Sequence, residues 1–112
     1  MLDRSKMTRR PSHPGEVIKG LYLEPAGISI AALAAHVGVS RKTLSKIING
    51  RGSVTPDMSL RLSKALKTSP GLWLSMQKGY DLWVAEHEGD DWQHIEPLPG
   101  LRDVPMTTLE HV

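Results

Sequence analysis

Apolar residues recur at helical spacing in successive stretches of the chain, and short segments of proline, glycine and capping residues separate these stretches. In chain order the apolar positions are Val17, Ile18 and Leu21; Ile30, Leu33, Ala34 and Val37; Leu44, Ile47 and Ile48; Met58, Leu62, Ala65 and Leu66; and Leu72, Trp73, Met76, Tyr80 and Trp83. The spacing predicts consecutive helices and no regular sheet, so the fold class that we expect is all-α.

The predicted helix starts carry residues that suit a helix N-terminus. A capping residue followed by proline opens the first, fourth and fifth helices, at His13-Pro14, Thr55-Pro56 and Ser69-Pro70. Proline fits the first turn because its missing N–H would have no partner there. No His, Asp or Glu lies at metal-ligand spacing from His13, so we expect this side chain to be a helix cap.

The second and third predicted helices have the layout of a helix-turn-helix. Gly38 lies between them, where a left-handed turn disfavours any other residue. Ala34 supplies the small side chain that two steeply crossing helices need, and Ser40 is a good N-cap for the third helix. An Asn-Gly pair at residues 49–50 ends that helix. The alternative is a helical hairpin in an ordinary bundle, whose outer face is merely solvated.

The charge pattern argues against that alternative. No acidic residue occurs between Glu24 and Asp57, whereas a solvated face usually mixes both signs. The cations on and just after the third helix are Arg41, Lys42, Lys46 and Arg51. A short helix with charges of one sign is what a phosphate backbone favours.

The fifth predicted helix is apolar over so much of its circumference that it needs a second surface to bury it. Either the first and fourth helices cover it completely, or part of it forms a homodimer interface; we favour the shared role. The candidate dimer residues are Trp73, Leu74, Met76, Tyr80, Trp83 and Val84.

The two ends of the chain differ in charge from each other. Residues 1–12 are predicted to be a flexible basic arm, either simply disordered or with Arg9 and Arg10 reaching a DNA minor groove or phosphates. Residues 13–87 form the predicted DNA-binding domain with its dimerisation helix. Residues 88–112 are an acidic tail whose prolines prevent a long helix, so we expect it to be disordered, or extended or a short strand on a partner.

Composition excludes several classes of function. The chain has 112 residues and no Cys, so we expect one domain without disulfide or thiolate chemistry. The N-terminus has no apolar run typical of a signal peptide, and no stretch approaches the ~20 apolar residues of a membrane span, so we expect a cytoplasmic protein. With the predicted DNA binding, we expect it to be nucleoid-associated. Metalloprotease, Walker and G-x-S-x-G motifs are absent, so no enzyme activity and no cofactor are predicted. The histidines and aspartates of residues 87–94 match no metal-site spacing, and no metal is predicted.

Several short motifs, taken in order, resemble the HigA antitoxin family of the lambda-repressor-like, or XRE, helix-turn-helix group. The matching segments are His13-Pro14-Gly15-Glu16, Leu23-Glu24-Pro25, Gly38-Val39-Ser40-Arg41, Ile47-Ile48-Asn49-Gly50, Leu60-Arg61-Leu62, Ser69-Pro70, Trp73-Leu74 and Tyr80-Asp81-Leu82. The resemblance implies a five-helix fold and a homodimer bound to the double-stranded operator DNA of its own operon. It also implies a HigB-like toxin partner, which is a ribosome-dependent endoribonuclease.

The resemblance and the charge pattern place the predicted DNA contacts on and around the third helix. The predicted base contacts are Ser40, Arg41, Lys42, Thr43 and Ser45. The predicted phosphate contacts are Ser29, Lys46, Asn49 and Arg51. The expected function is neutralisation of the toxin together with repression of the operon. The alternatives are a repressor without a toxin partner, and a protein-interaction module that does not bind DNA specifically.

Overall fold

The computed structural model describes residues 9–105, and over this range the chain is helical and has no strand. The five main helices are α1 (Pro14–Ala26), α2 (Ile30–Val37), α3 (Arg41–Ile48), α4 (Pro56–Leu66) and α5 (Leu72–Glu88), and a 3-10 turn follows at Asp91–His94. The predicted five-helix, all-α fold is therefore confirmed. Within residues 9–105 no single helix is long and apolar enough to cross a membrane. The lengths and compositions of α1 and α2 taken together would suffice, but the two helices meet at a bend of 105°.

Helix α1 changes its winding part of the way along. It starts as an α-helix at Pro14–Val17, widens into a π-helix over Ile18–Leu23 and closes with an α-helical turn at Glu24–Ala26. The wide turn brings both Ile18 and Leu23 into the core, whereas Leu21 is 70% exposed. The prediction that Leu21 belongs to the apolar stripe is wrong, because it assumed 3.6 residues per turn throughout.

The core is built around Trp73, the largest side chain that is fully buried. The other buried residues of the same core cluster come from α1 to α4 and from the loop before α4, namely Ile18, Leu23, Leu33, Ala34, Val37, Leu44, Ile47, Ile48, Val54, Met58 and Leu62. Tyr22 meets Trp73 edge to face at a centroid distance of 5.8 Å. Trp73 has no exposed surface left for a second subunit, so we correct its assignment from the dimer surface to the core.

Two buried polar side chains fix α5 against the rest of the domain. Gln77 is 3% exposed, and its Oε1 accepts a hydrogen bond of 3.0 Å from the backbone N–H of Val54. Ser59 donates to the Pro70 carbonyl at 2.7 Å and accepts from the N–H of Leu74 at 3.2 Å. Helix α5 begins at Leu72, and not at the predicted Ser69-Pro70 opening. Those two residues belong instead to the loop that joins α4 to α5.

Candidate nucleic-acid interface

The second and third helices form the predicted helix-turn-helix, with each cap in place. Ser29 caps α2 by accepting from the N–H of Ala32 at 3.0 Å. Gly38 ends α2 in the left-handed region at φ 78°, which a residue with a Cβ atom adopts only under strain. Ser40 then caps α3 by accepting from the N–H of Thr43 at 3.0 Å. The local sequence signals therefore determine the bend that presents α3.

Helix α3 has one buried face and one exposed face. Leu44, Ile47 and Ile48 are each at most 3% exposed and join the core, as predicted. The exposed side chains are Arg41, Lys42, Thr43 and Lys46, while Ser45 is half-buried. Ser29, Asn49 and Arg51 are also exposed, at the start of α2 and just after α3. The predicted contact residues thus lie on one exposed helix and at its margins.

The cations of this surface have no carboxylate partner within the described part of the chain. The ion pairs found there join Arg10 to Glu16 and Arg61 to Asp57, and neither involves α3. The positive charges of α3 are therefore left to solvent or to an anionic partner. We call this surface, made by Arg41, Lys42, Thr43 and Lys46, the basic face.

Hydrogen bonds among small polar residues hold parts of this surface in fixed conformations. The Ser40 hydroxyl donates to the Thr43 hydroxyl at 2.8 Å, in addition to its capping role. The Asn49 side-chain amide donates to the Ser45 hydroxyl at 3.1 Å. Both hydroxyl acceptors keep a further lone pair, so a polar ligand can still bind these residues. Their rotamers are constrained before any ligand arrives.

His13 connects the start of α1 to the loop that follows α3. Its Nδ1 accepts from the N–H of Gly15 at 2.9 Å, which confirms the predicted capping role. Because Nδ1 is the acceptor, Nε2 carries the proton of the neutral ring and donates to the Gly52 carbonyl at 3.2 Å. The ring is 2% exposed, so this connection is shielded from competing water.

Gly15 allows α1 to touch the end of α3 backbone to backbone. A Cβ atom at this position would lie 2.1 Å from the carbonyl oxygen of Ile47 and 2.8 Å from the Cα atom of Ile48. Only glycine fits such an approach. His13 and Gly15 together therefore position the C-terminal end of α3, a role that the sequence signalled only through the motif that contains them.

Arg61 of α4 supports the turn from the other side, and its role was not predicted. Its Nη1 donates to the carbonyl of Val37, the last residue of α2, at 2.8 Å. Its Nε donates to the carboxylate of Asp57 at 2.8 Å, one helical turn back. The carboxylate orients the guanidinium, and the guanidinium satisfies a carbonyl at the end of α2 that has no partner in the helix.

Arg10 does not extend away from the domain, which corrects its assignment to a flexible arm. Its Nη2 pairs with Glu16 at 3.1 Å, and its Nη1 donates to the Tyr80 hydroxyl at 3.2 Å. The guanidinium carbon also lies 5.2 Å from the centre of the Tyr80 ring. Arg9 is exposed, and residues 1–8 of the predicted arm lie outside the described residues.

The five remaining dimer candidates on α5 are all half-buried. Leu74, Met76, Trp83 and Val84 keep part of their surface exposed. Tyr80 is also half-buried, but Arg10 and the edge of the His13 ring, 4.9 Å away, already occupy part of its ring.

Within residues 9–105 no group of three or more His, Cys, Asp and Glu side chains has the arrangement of a metal site.

Comparison with known proteins agrees with this geometry. Residues 21–73, which contain α2, α3 and α4, match a family model described as helix-turn-helix. The antitoxin HigA-1 of Vibrio cholerae serotype O1 is 45% identical over 94 residues, or 83% of this chain and 89% of the relative. A structure of the antitoxin GraA in complex with its operator has a TM-score of 0.74 and 41% identity, and covers 83% of this chain and 96% of that one. The Pseudomonas aeruginosa antitoxin HigA with the higBA promoter has a TM-score of 0.73 and 34% identity, over 82% of this chain and 100% of that one.

The fold and the site define an XRE-type helix-turn-helix protein of the DNA-binding class. Within that class, the chain belongs to the HigA antitoxin family.

Proposed function

We propose that this chain is an antitoxin that neutralises a HigB-like ribonuclease toxin and, as a homodimer, represses its own operon by binding operator DNA. The observation that carries the DNA-binding half is the basic face, which is exposed, has no carboxylate partner within residues 9–105, and lies on a helix-turn-helix that α1 and Arg61 support from two sides. The toxin-binding half is supported by membership of the HigA antitoxin family. Such a protein would act in the cytoplasm, at the nucleoid.

In the proposed complex, α3 enters the major groove with its N-terminal end first. Arg41 and Lys42 face the base edges, where either side chain can donate to guanine O6 and N7. The Thr43 methyl group suits a thymine methyl, and the hydroxyls of Ser40 and Ser45 complete the base contacts. These side chains supply specificity because each base pair presents a different donor and acceptor pattern in that groove.

The margins of the same surface would bind the DNA backbone. Ser29 and the free N–H groups in the first turn of α2 face one phosphate, since a helix N-terminus attracts anions. Lys46, Asn49 and Arg51 contact phosphates beyond the C-terminal half of α3. A twofold dimer would place two α3 helices ~34 Å apart, one turn of DNA, on an inverted repeat. Leu74, Met76, Tyr80, Trp83 and Val84 remain the proposed dimer residues.

A mobility-shift titration of the purified chain tests the DNA-binding half. The probes are a duplex from immediately upstream of the gene and a scrambled duplex of equal length and composition. We expect the upstream duplex to bind at least ~10³-fold more tightly at physiological salt. Weak and equal binding of the two duplexes would instead support the protein-interaction module.

Co-expression with the neighbouring gene tests the toxin half. We expect the neighbouring product to stop growth alone, to be harmless when this chain is present, and to co-purify with it. A chain that binds its upstream DNA specifically but neither protects the cells nor co-purifies would be a repressor without a toxin partner.

A further inference from the structure

The end of α5 and the tail that follows it expose large apolar side chains among acidic ones. The exposed apolar residues are Leu82, Trp92, Ile95, Leu98, Leu101 and Val104, with exposures from 48% to 76%. The carboxylates of the same segment are Glu86, Glu88, Asp90, Asp91, Glu96 and Asp103, against the single cation Arg102. DNA would be repelled by this charge, whereas a basic protein with an apolar surface would be attracted to it.

One groove in this segment has a defined shape. Leu82, Ala85 and Glu86 of α5 form one part of its wall, Trp92 of the 3-10 turn forms another, and its volume is about 530 Å³. The indole N–H of Trp92 donates to the Gly89 carbonyl at 3.1 Å, which fixes the ring against the end of the helix. The ring is still 48% exposed, so it can bind a ligand without moving.

Glu86 brings a carboxylate group to the wall of the groove. Glu86 Oε2 is buried and accepts no hydrogen bond from any residue in the described range. A carboxylate with one enclosed, unbonded oxygen carries a charge that is costly to hold, and a positively charged N–H donor in the groove beside it is the group that would stabilise that charge most. The surrounding walls are aliphatic and aromatic, so that donor must come on a side chain that tolerates apolar contact.

We propose that this groove binds a basic side chain of the toxin, arginine in preference to lysine. The guanidinium pairs with the Glu86 carboxylate at the wall of the groove and lies over the Trp92 ring, while its methylene groups contact Leu82 and Ala85. Arginine fits better than lysine because its planar, weakly hydrated head group can stack on the indole and donate at the same time. The acidic tail beyond the groove attracts the same basic partner and speeds its association. This inference rests on the proposed antitoxin function.

The experiment measures binding of the full-length chain to the purified product of the neighbouring gene by calorimetry. Glu86→Gln removes the charge inside the groove, and Trp92→Ala removes the aromatic wall. Glu96→Gln is the matched control, because it makes the same charge change on the exposed tail outside the groove. We expect each groove variant to weaken binding at least ~10-fold and the control to change it less than ~3-fold. Upstream DNA binding should be unchanged in all of them, which also shows that they fold.

The possible failures are distinguishable. If the wild-type chain binds the neighbouring product and both groove variants bind it equally well, the groove assignment is overturned while the antitoxin function stands. If the wild-type chain does not bind it at all, both proposals fall together. If the groove variants change only self-association, measured by sedimentation, the occupant is a second copy of the chain and the toxin assignment is wrong.

Discussion

Replacement of Gly15 by alanine tests whether α1 positions α3, the proposed recognition helix. The added Cβ atom would meet the Ile47 carbonyl oxygen at 2.1 Å and the Ile48 Cα atom at 2.8 Å. Both are backbone atoms, so no side-chain rotation relieves the overlap and the two helices must separate. Overpacking of this kind costs ~1–3 kcal/mol, and we expect the upper end because the neighbours of Gly15 are rigid. At ~4–8 °C per kcal/mol, the melting temperature should fall by roughly 10–20 °C.

Gly20→Ala is the matched control, since it makes the same change in the same helix. A Cβ atom at Gly20 has no neighbour within 4 Å, so we expect stability to be unchanged or to rise by up to ~1 kcal/mol. Thermal and urea denaturation, followed by circular dichroism, measures both variants. DNA titrations below the melting transition should show weaker upstream binding for Gly15→Ala alone. Equal stability of the two variants would refute the close helix contact.

Further variants separate the roles of individual side chains. Arg41→Ala should cost ~1–3 kcal/mol at one base position and relax specificity there, as measured with a set of single-base-pair operator changes. Lys46→Ala should weaken all duplexes alike and lower the salt slope by about one unit; equal losses on specific and scrambled DNA for both variants would contradict this division. Arg61→Ala should lower the free energy of unfolding by about 1–2 kcal/mol, because it leaves the Val37 carbonyl unpaired. Asp57→Asn removes the charge of the exposed ion pair but keeps an amide oxygen that can accept from Arg61 Nε, and it should cost less than ~1 kcal/mol, so similar losses for these two would argue against support of the turn by Arg61.

Local signals in the sequence were sufficient for the helix-turn-helix itself. Ser29, Gly38 and Ser40 act through their own backbone neighbourhood, so their roles follow from residue type and spacing. The burial of Leu44 and Ile47 follows in the same way from helical periodicity. These features depend on interactions within one or two turns of chain, which a linear pattern records.

The features that sequence reasoning missed depend on contacts between distant parts of the chain. Arg10 looked like part of a free basic arm because its partner Tyr80 lies on α5, 70 residues away along the chain. Arg61 entered the sequence analysis only as part of a matching motif, because the Val37 carbonyl that it binds has no signature in the sequence. The outward position of Leu21 results from a π-helical turn, whose residue preferences do not differ enough from those of an α-helix to be recognised.

The acidic end of the chain is a further region in which the sequence was informative only in part. Its sequence allowed docking on a partner, but did not indicate where that partner would bind. Only the structure places Trp92 beside Glu86 and Leu82, because the 3-10 turn folds the chain back onto α5.

The central claim is that the basic face of α3 recognises duplex DNA. The most direct test is a fluorescence-anisotropy titration of upstream and scrambled duplexes with the double variant Arg41→Ala/Lys42→Ala. Its control is Lys64→Ala/Lys78→Ala, which removes the same charge from exposed positions on α4 and α5. We expect the first variant to lose at least ~10-fold of its preference for the upstream duplex, while the control keeps the wild-type preference. A wild-type preference in the Arg41→Ala/Lys42→Ala variant would contradict the account.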